Sequence, residues 1–88
     1  MQIHFLEWDE QNIEHIAGHQ VSPDEVEQAC KSRPLIFRGP RGRHFIFGRT
    51  AVGRYLFMVI RYRGKGLAYP ITARDMEPVE KRLYQEHR

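Results

Sequence analysis

The spacing of apolar residues changes along the chain, from a helical period in its first third to an alternating period from Pro34 onward. Before that change, a short alternating run at residues 3–8 predicts a first strand. Asp9 is then placed to cap a helix at residues 10–18, where apolar side chains recur at helical spacing on one face. The beginning of the chain is therefore predicted to be a strand followed by a helix.

A second helix has the clearest start in the chain. Ser22 and Glu25 form the Ser-x-x-Glu pattern of a capping box, and Pro23 occupies the first helical position, which tolerates proline. Val21 and Val26 stand at the two positions of a hydrophobic staple. These residues predict a helix that begins at Pro23 and ends before the alternating region.

Four alternating runs predict a sheet in the rest of the chain. They cover residues 35–38, 43–50, 54–63 and 67–72. Glycine-containing turns separate the runs, so consecutive strands are predicted to be antiparallel neighbours. The third run is apolar on both faces and is predicted to be central, whereas Pro70 places the fourth at an edge or a bulge.

The end of the chain returns to helical spacing. Asp75 is predicted to cap a last helix that reaches about residue 87. The side chains predicted to face inward are Met76, Val79 and Leu83. The predicted fold class is α+β, an antiparallel β-sheet with the element order β-α-α-β-β-β-β-α and helices packed on it.

Length and composition limit the protein class. Eighty-eight residues make one domain with one modest core. The chain has no apolar run of about 18 residues and no basic start followed by an apolar stretch, so neither a transmembrane span nor a signal peptide is expected. A single cysteine, Cys30, excludes an internal disulfide and fits a reducing compartment. We therefore expect a cytoplasmic protein without membrane contact.

Charge is segregated along the chain, although the net charge is only +3. Residues 1–27 contain seven acidic residues and no Lys or Arg, whereas residues 28–74 contain eleven Lys or Arg and no acid. Most of these cations are arginines, which suit bidentate contact with phosphate. The pattern favours a phosphate polymer as partner, with RNA as the first choice. A solvated basic sheet face, or one that docks an acidic protein, is the alternative.

Two histidines, His15 and His19, lie four residues apart on the predicted first helix. The spacing matches the first half of a zinc site, but no second pair of ligands has suitable spacing, so neither a metal nor another cofactor is expected. Two imidazoles on one helix face, with Asn12 beside them, suit general acid and base catalysis on a phosphodiester. Two ordinary surface histidines are an equally acceptable interpretation.

Arginines at strand ends are candidates for charge stabilisation. Arg49, Arg61 and Arg74 lie at strand ends or at the junction with the last helix. There they suit stabilisation of the extra charge on phosphorus during RNA cleavage. Pairing with acids such as Glu7 or Glu14 is the structural alternative. The predicted RNA-binding set, which has a tyrosine among cations, comprises Arg43, Arg61, Tyr62, Arg63 and Lys65.

Several short motifs can also be taken together as a family pattern. They are Phe5-Leu6-Glu7-Trp8-Asp9-Glu10, Asn12-x-x-His15-Ile16-x-x-His19-x-Val21-x-Pro23-x-Glu25-Val26-Glu27, Gly48-Arg49-Thr50-x-x-Gly53-Arg54-x-Leu56, Ile71-Thr72-Ala73-Arg74 and Glu80-Lys81-Arg82-x-Tyr84. In order and spacing they resemble the BrnT-type toxin family over nearly the whole chain. By position, His19 falls at that family's Lys-His-Gly step, Arg49 in its Gly-Arg strand and Arg74 in its Ser-Ala-Arg motif.

The resemblance implies a RelE-like fold and a ribonuclease that uses no metal and inhibits growth by cutting RNA. It also implies a type II toxin–antitoxin module, in which a ribbon-helix-helix antitoxin binds the toxin and the complex binds operator DNA. The catalytic candidates are then His15, His19, Arg49 and Arg74.

A second hypothesis is a catalytically inactive module of the same fold that binds nucleic acid or an antitoxin. The first helix lacks the lysines common in BrnT-type proteins, since residues 1–27 contain no Lys or Arg. The product separates the two hypotheses, because cleavage through the 2′-hydroxyl leaves a 2′,3′-cyclic phosphate and a binding module leaves RNA intact.

Overall fold

The computed structural model describes residues 2–87, which contain three helices and five strands. In chain order they are β1 (Phe5–Leu6), α1 (Glu10–Ala17), α2 (Pro23–Lys31), β2 (Leu35–Arg38), β3 (Arg43–Arg49), β4 (Tyr55–Gly64), β5 (Leu67–Asp75) and α3 (Pro78–Glu86). The predicted α+β class and the predicted sequence of elements are both confirmed. No helix within residues 2–87 has the length and apolar character needed to cross a membrane.

One five-stranded sheet has the spatial order β1-β5-β4-β3-β2. The pairs β2–β3, β3–β4 and β4–β5 are antiparallel, as the turns predicted, and β4 is the central strand. The prediction of an entirely antiparallel sheet is wrong for β1, whose Phe5 lies opposite Leu67 in a parallel pair. No tight turn joins β1 to β5, because two helices and three strands lie between them in the chain. β5 therefore runs beside β1 in the same direction.

Helix starts follow their local sequences. The Asp9 side chain accepts a hydrogen bond from the backbone N–H of Asn12, and Ser22 does the same for Glu25, so both predicted N-caps are confirmed. Each cap is a complete capping box, which satisfies amide groups that the first helical turn would otherwise leave unpaired.

The junction between the last strand and the last helix differs from the prediction. β5 continues to Asp75, which lies opposite Leu56, and the N-cap of α3 is Glu77. Asp75 is unable to cap the helix because Arg54 holds its carboxylate at 2.7 Å. Tyr84 is the buried residue of α3, whereas Val79 is 62% exposed and does not face inward as predicted.

Pro70 lies at a bulge, as its missing N–H predicted. Val59 lies opposite Thr72, but Ile60 lies opposite Pro70, so Ile71 is an extra residue in β5. β1 pairs on the outer side of this strand, but only at Leu67 and Ala68, so no strand lies beyond β5 at Pro70 itself.

Two apolar clusters lie on opposite faces of the sheet. Under α1 and α2, the larger cluster includes Ile16, Val26 and Met58, and we call this side the inner face. On the opposite side, which we call the open face, Met76, which precedes α3, and Tyr84 of α3 pack against the aromatic residues of β3 and β4. α3 contacts only one end of this face, so the other end has no helix over it.

Close contact between α2 and the inner face depends on a glycine. Gly48 of β3 lies directly under Ala29 of α2, and a Cβ atom on Gly48 would overlap the carbonyl oxygen of Ala29. The φ angle of Gly48 is not positive, so the requirement for glycine is spatial rather than conformational.

Arg54 joins four segments of the chain. Its Nε donates to Asp75 at 2.7 Å, and one Nη1 contact reaches Glu25 at 3.1 Å while another reaches the backbone carbonyl of Gln20 at 2.7 Å. Only 24% of the Arg54 side chain is exposed. Hydrogen bonds from Arg54 lower the pKa of Asp75, and the pKa of Glu25 is lowered first by the Ser22 backbone N–H and then by Arg54.

Replacement of Arg54 by Gln should lower the free energy of unfolding by about 2 kcal/mol at pH 7, because hydrogen bonds to charged groups are lost. Both carboxyl pKa values are lower in the folded state than their ordinary values of 3.8 and 4.5. The stabilisation by the two ion pairs of Arg54 is therefore fully present at a pH above the ordinary carboxyl pKa values. It is lost as the pH falls through the lowered pKa values of the folded state. Urea unfolding at pH 7 and pH 3 should show the difference between wild type and R54Q shrinking in acid.

Arg38 supplies the matched control. It is exposed, and its side chain makes no ion pair within residues 2–87, so R38Q should change stability by less than about 0.5 kcal/mol at either pH. An R54Q deficit of equal size at pH 7 and pH 3 would contradict the assigned role of the ion pairs.

Candidate nucleic-acid interface

Three arginines meet at the end of the open face that α3 leaves uncovered. Arg61 and Arg63 lie two residues apart on β4, and successive side chains of a strand alternate between faces, so both point to the same side. Arg43 of β3 lies directly opposite Arg61, and Tyr69 of β5 lies opposite it on the other flank. The antiparallel register thus brings cations from two strands together beside an aromatic ring.

These residues form one wall of a groove whose other wall is α1. The groove has a volume of about 440 Å³, and we call it the basic groove. Its lining residues are Gln11, Asn12, His15, Arg43, Arg61, Arg63, Tyr69 and Ile71. Of the predicted site residues, it brings together His15, Arg43, Arg61 and Arg63.

Two of the three arginines keep their charge available for a ligand. Arg63 forms an ion pair with Glu7, with 2.8 Å between Nε and Oε1. The side chains of Arg43 and Arg61 have no ion pair or hydrogen bond with any other residue in the range 2–87. The Nε of Arg43 is buried without a hydrogen-bond partner among those residues. A buried, unpaired donor is costly, so an acceptor from a ligand would be stabilised at this point.

Tyr69 presents a neutral ring between these cations. Its hydroxyl donates to Asp9, with distances of 3.1 and 3.0 Å to the two carboxylate oxygens, and the Arg63 guanidinium lies 5.6 Å from the ring centroid. Desolvation and the Asp9 hydrogen bond raise the pKa of Tyr69. The phenol therefore keeps its proton at neutral pH, which suits stacking on a base better than proton abstraction.

The position of α1 along the edge of β5 explains why His15 belongs to the groove. Asn12 Nδ2 donates to the backbone carbonyls of Glu7 and Pro70, at 2.9 and 3.0 Å, and so fixes the helix to the strand. One turn later, His15 Nε2 lies 3.0 Å from the Thr72 hydroxyl, with which it shares a hydrogen bond. The imidazole is thus oriented by the sheet while it stays exposed to solvent.

His19 lies two residues past the end of α1 at Ala17, not on the helix as predicted, whereas Asn12 lines the groove with His15. The rings of His15 and His19 are in edge contact, with centroids 5.7 Å apart, but His19 does not line the groove. Asn12 is only 2% exposed, and both ends of its amide are engaged in the cap and in the two backbone carbonyls. Its role is therefore structural rather than contact with a ligand.

Arg74 and Arg49, the other predicted catalytic residues, lie at the α3 end of the open face. Arg74 makes two parallel hydrogen bonds to Glu80, at 2.8 and 2.9 Å, and its guanidinium lies 4.4 Å from the Phe57 ring centroid. Those bonds lower the pKa of Glu80. Arg49 is exposed and lies 5.1 Å from the Tyr55 ring centroid. Neither arginine lines the groove that contains His15.

The remaining predicted RNA-binding residues do not line the groove either. Tyr62 lies between Arg61 and Arg63 in sequence, so strand alternation turns its ring to the inner face, where it packs on the core and contacts His44. Its hydroxyl accepts a hydrogen bond from Gly66. Lys65 lies at the exposed tip of the β4–β5 turn.

Thr72 is the functional neighbour that sequence reasoning missed. It lies within the Ile71-Thr72-Ala73-Arg74 motif, but 57 residues separate it from His15. Only the placement of α1 against β5 brings the two together, and no local pattern encodes that placement.

Two further cavities lie away from these cations. One of about 420 Å³ is lined in part by Cys30, whose pKa burial raises to about 12, so that the thiol is unreactive at neutral pH. A smaller one of about 190 Å³ lies beside Tyr84. Within residues 2–87, no three His, Cys, Asp or Glu side chains are grouped to hold a metal ion.

No protein-family model matches the chain, and no curated protein matches its sequence significantly.

Proposed function

We propose that the protein binds RNA in the basic groove and cleaves it without a metal, as the ribonuclease toxin of a type II toxin–antitoxin module. The observation that carries the proposal is the position of His15, an exposed imidazole held by Thr72, beside Arg43 and Arg61, whose charges have no acidic partner in the described part of the chain. A proton-transfer group and free cations on one concave surface are what phosphodiester cleavage needs.

The reaction follows from the chemistry of RNA. A base removes the proton of the 2′-hydroxyl, the 2′-oxygen attacks phosphorus, and the bond from phosphorus to the 5′-oxygen breaks as that oxygen gains a proton. His15 moves one of these protons, and water moves the other. Arg43 and Arg61 stabilise the additional negative charge on the phosphoryl oxygens, and Tyr69 offers a ring for a flanking base. The products are a 2′,3′-cyclic phosphate and a 5′-hydroxyl.

The biological setting of the proposal comes from the resemblance to BrnT-type toxins. The α+β fold and the element order are compatible with a RelE-like toxin. On this proposal, a ribbon-helix-helix antitoxin binds the protein, and operator DNA is bound only through that complex. The proposal moves the catalytic centre from Arg49 and Arg74 to the groove that contains His15.

A catalytically inactive binding module is the second candidate, and one observation favours it. Arg74, which the resemblance assigns to catalysis, is neutralised by two hydrogen bonds from its guanidinium to Glu80. A surface that only binds an acidic partner needs neither a catalytic arginine nor an oriented imidazole. Such a protein would leave RNA intact.

The test compares wild type with the Arg43→Gln/Arg61→Gln variant on single-stranded RNA, with the product ends analysed. We expect wild type to release fragments with 2′,3′-cyclic phosphate ends, and the variant to lose about 10²–10³-fold in kcat/KM. Arg38→Gln/Arg41→Gln removes the same charge from exposed positions outside the groove and should stay within a factor of about three.

The outcomes separate the two candidates. RNA that binds to wild type and remains whole would reject the ribonuclease and leave the binding module. An equal loss in both double variants would show that net charge alone matters and that the basic groove is not the site.

A further inference from the structure

A second group of cations lies at the α3 end of the open face. Arg49 Cζ is 5.1 Å from the centroid of the Tyr55 ring, and Lys81 Nζ of α3 is 5.0 Å from the same centroid. Both side chains are exposed. Two cations, one from β3 and one from α3, thus lie beside the same ring.

Neither cation is neutralised by an ion pair within residues 2–87. The pKa of the nearby Asp75 is lowered first by hydrogen bonds from Arg54 and only lastly by the charge of Lys81. Arg74, at the same end of the sheet, is different because both of its Nη atoms donate to the Glu80 carboxylate. Arg49 and Lys81 therefore both contribute free positive charge at this end.

The two cationic groups lie on one sheet face, in line along β4. Tyr55 and Arg61 are six residues apart on that strand, which places them about 20 Å apart. The face between them carries the partly exposed ring of Phe45, whereas the Arg74 guanidinium lies over the Phe57 ring, 4.4 Å from its centroid. Phosphate contacts at both ends and an aromatic ring between them match the way that proteins hold a single strand.

We infer that Arg49 and Lys81 form a second phosphate subsite for the same RNA strand that enters the basic groove. The inference rests on the proposed function and refines its substrate: the ligand is a single-stranded oligonucleotide long enough to span about 20 Å along β4, not a dinucleotide and not a duplex. Arg49 is accordingly a substrate-binding residue distant from the cleaved bond.

The experiment measures binding of two fluorescent 2′-O-methyl RNA probes, a dinucleotide and a decanucleotide, which lack the attacking hydroxyl and stay intact. The test variant is Arg49→Gln/Lys81→Gln, which removes both charges and retains the aliphatic stems over Tyr55. Arg82→Gln is the matched control, because Arg82 is an exposed cation on the same helix that does not contact the ring. Circular dichroism and the thermal midpoint verify that each variant is folded.

Wild type should bind the decanucleotide more tightly than the dinucleotide. In R49Q/K81Q the decanucleotide should bind roughly tenfold more weakly, and the slope of log K against log salt should decrease in size by about 0.7, the value for one lost phosphate contact on a single strand. The dinucleotide should be unaffected, and R82Q should resemble wild type with both probes.

Other results overturn the inference in distinguishable ways. If wild type binds both probes and R49Q/K81Q keeps the full advantage of the longer one, the second subsite does not exist, although the basic groove can still bind RNA. If R82Q loses as much as R49Q/K81Q, the effect is one of general charge. If wild type binds neither probe, the proposed function fails together with the inference.

Discussion

Replacement of His15 by Ala is expected to lower the rate of RNA cleavage by about 10²–10⁴-fold, the range in which a positioned general acid or base contributes. The imidazole is held at the groove by the Thr72 hydroxyl, 3.0 Å from Nε2, and its removal leaves no other histidine in the lining. Since His15 is exposed, its loss should alter the free energy of unfolding by less than about 1 kcal/mol. Single-turnover cleavage of a labelled oligonucleotide measures the rate directly.

His19→Ala is the matched control for His15→Ala. His15 lies on α1 and His19 lies two residues past its end, their ring centroids are 5.7 Å apart and both are exposed, so the variants remove the same group from nearby places. Because His19 does not line the groove, H19A should lose less than about tenfold in rate. A greater loss in H19A than in H15A would reverse the assignment and restore the position indicated by the resemblance to BrnT-type toxins.

The largest effect on stability is expected from Gly48→Ala. A Cβ atom at this position would overlap the backbone oxygen of Ala29, which has no rotamer to move out of the way. The added methyl group must push α2 from the inner face, where Val26 and Ala29 are fully buried. We expect a loss of about 3 kcal/mol in the free energy of unfolding, at the upper end for an overpacked core.

Chemical or thermal unfolding measures the loss. For a domain of this size, about 3 kcal/mol corresponds to a decrease of roughly 12–24 °C in Tm. Gly18→Ala is the matched control: Gly18 has a helical φ of −62°, and its Cβ would lie 3.3 Å from a carbonyl oxygen. G18A should stay within about 1 kcal/mol of wild type. Similar losses in both variants would show that the contact with Ala29 yields without cost.

Local sequence patterns were sufficient to predict most of the helices and strands. The caps at Asp9 and Ser22 involve residues three apart, so the sequence contains all of their chemistry. The central position of β4 followed from a run that is apolar on both faces. The end of β5 was not predictable in the same way, because Arg54, 21 residues away, holds Asp75 in the strand. Long-range contacts of this kind do not appear in the spacing of apolar and polar residues along the sequence.

In the candidate site, too, local patterns placed some residues and long-range contacts placed the others. Charge segregation indicated the arginines of the open face, and strand alternation was sufficient to place Arg61 and Arg63 together and Tyr62 on the opposite side. What the sequence did not reveal is which histidine or distant arginine belongs with them. His15 reaches the groove only because α1 lies along β5, and Arg74 is withdrawn by Glu80 of a later helix.

The attachment of α1 to β5 also affects association between copies of the protein. An unpaired strand edge is a template for another strand, and β1 covers β5 only at Leu67 and Ala68. Beyond that point Pro70 has no N–H to offer, and Asn12 occupies its carbonyl oxygen. At this point β5 therefore offers neither a donor nor a free acceptor to a neighbouring strand. Among the described residues, the strand at the other edge of the sheet is β2, which is only four residues long and ends in the charged Arg38, and such a short strand is a poor template for a neighbouring sheet.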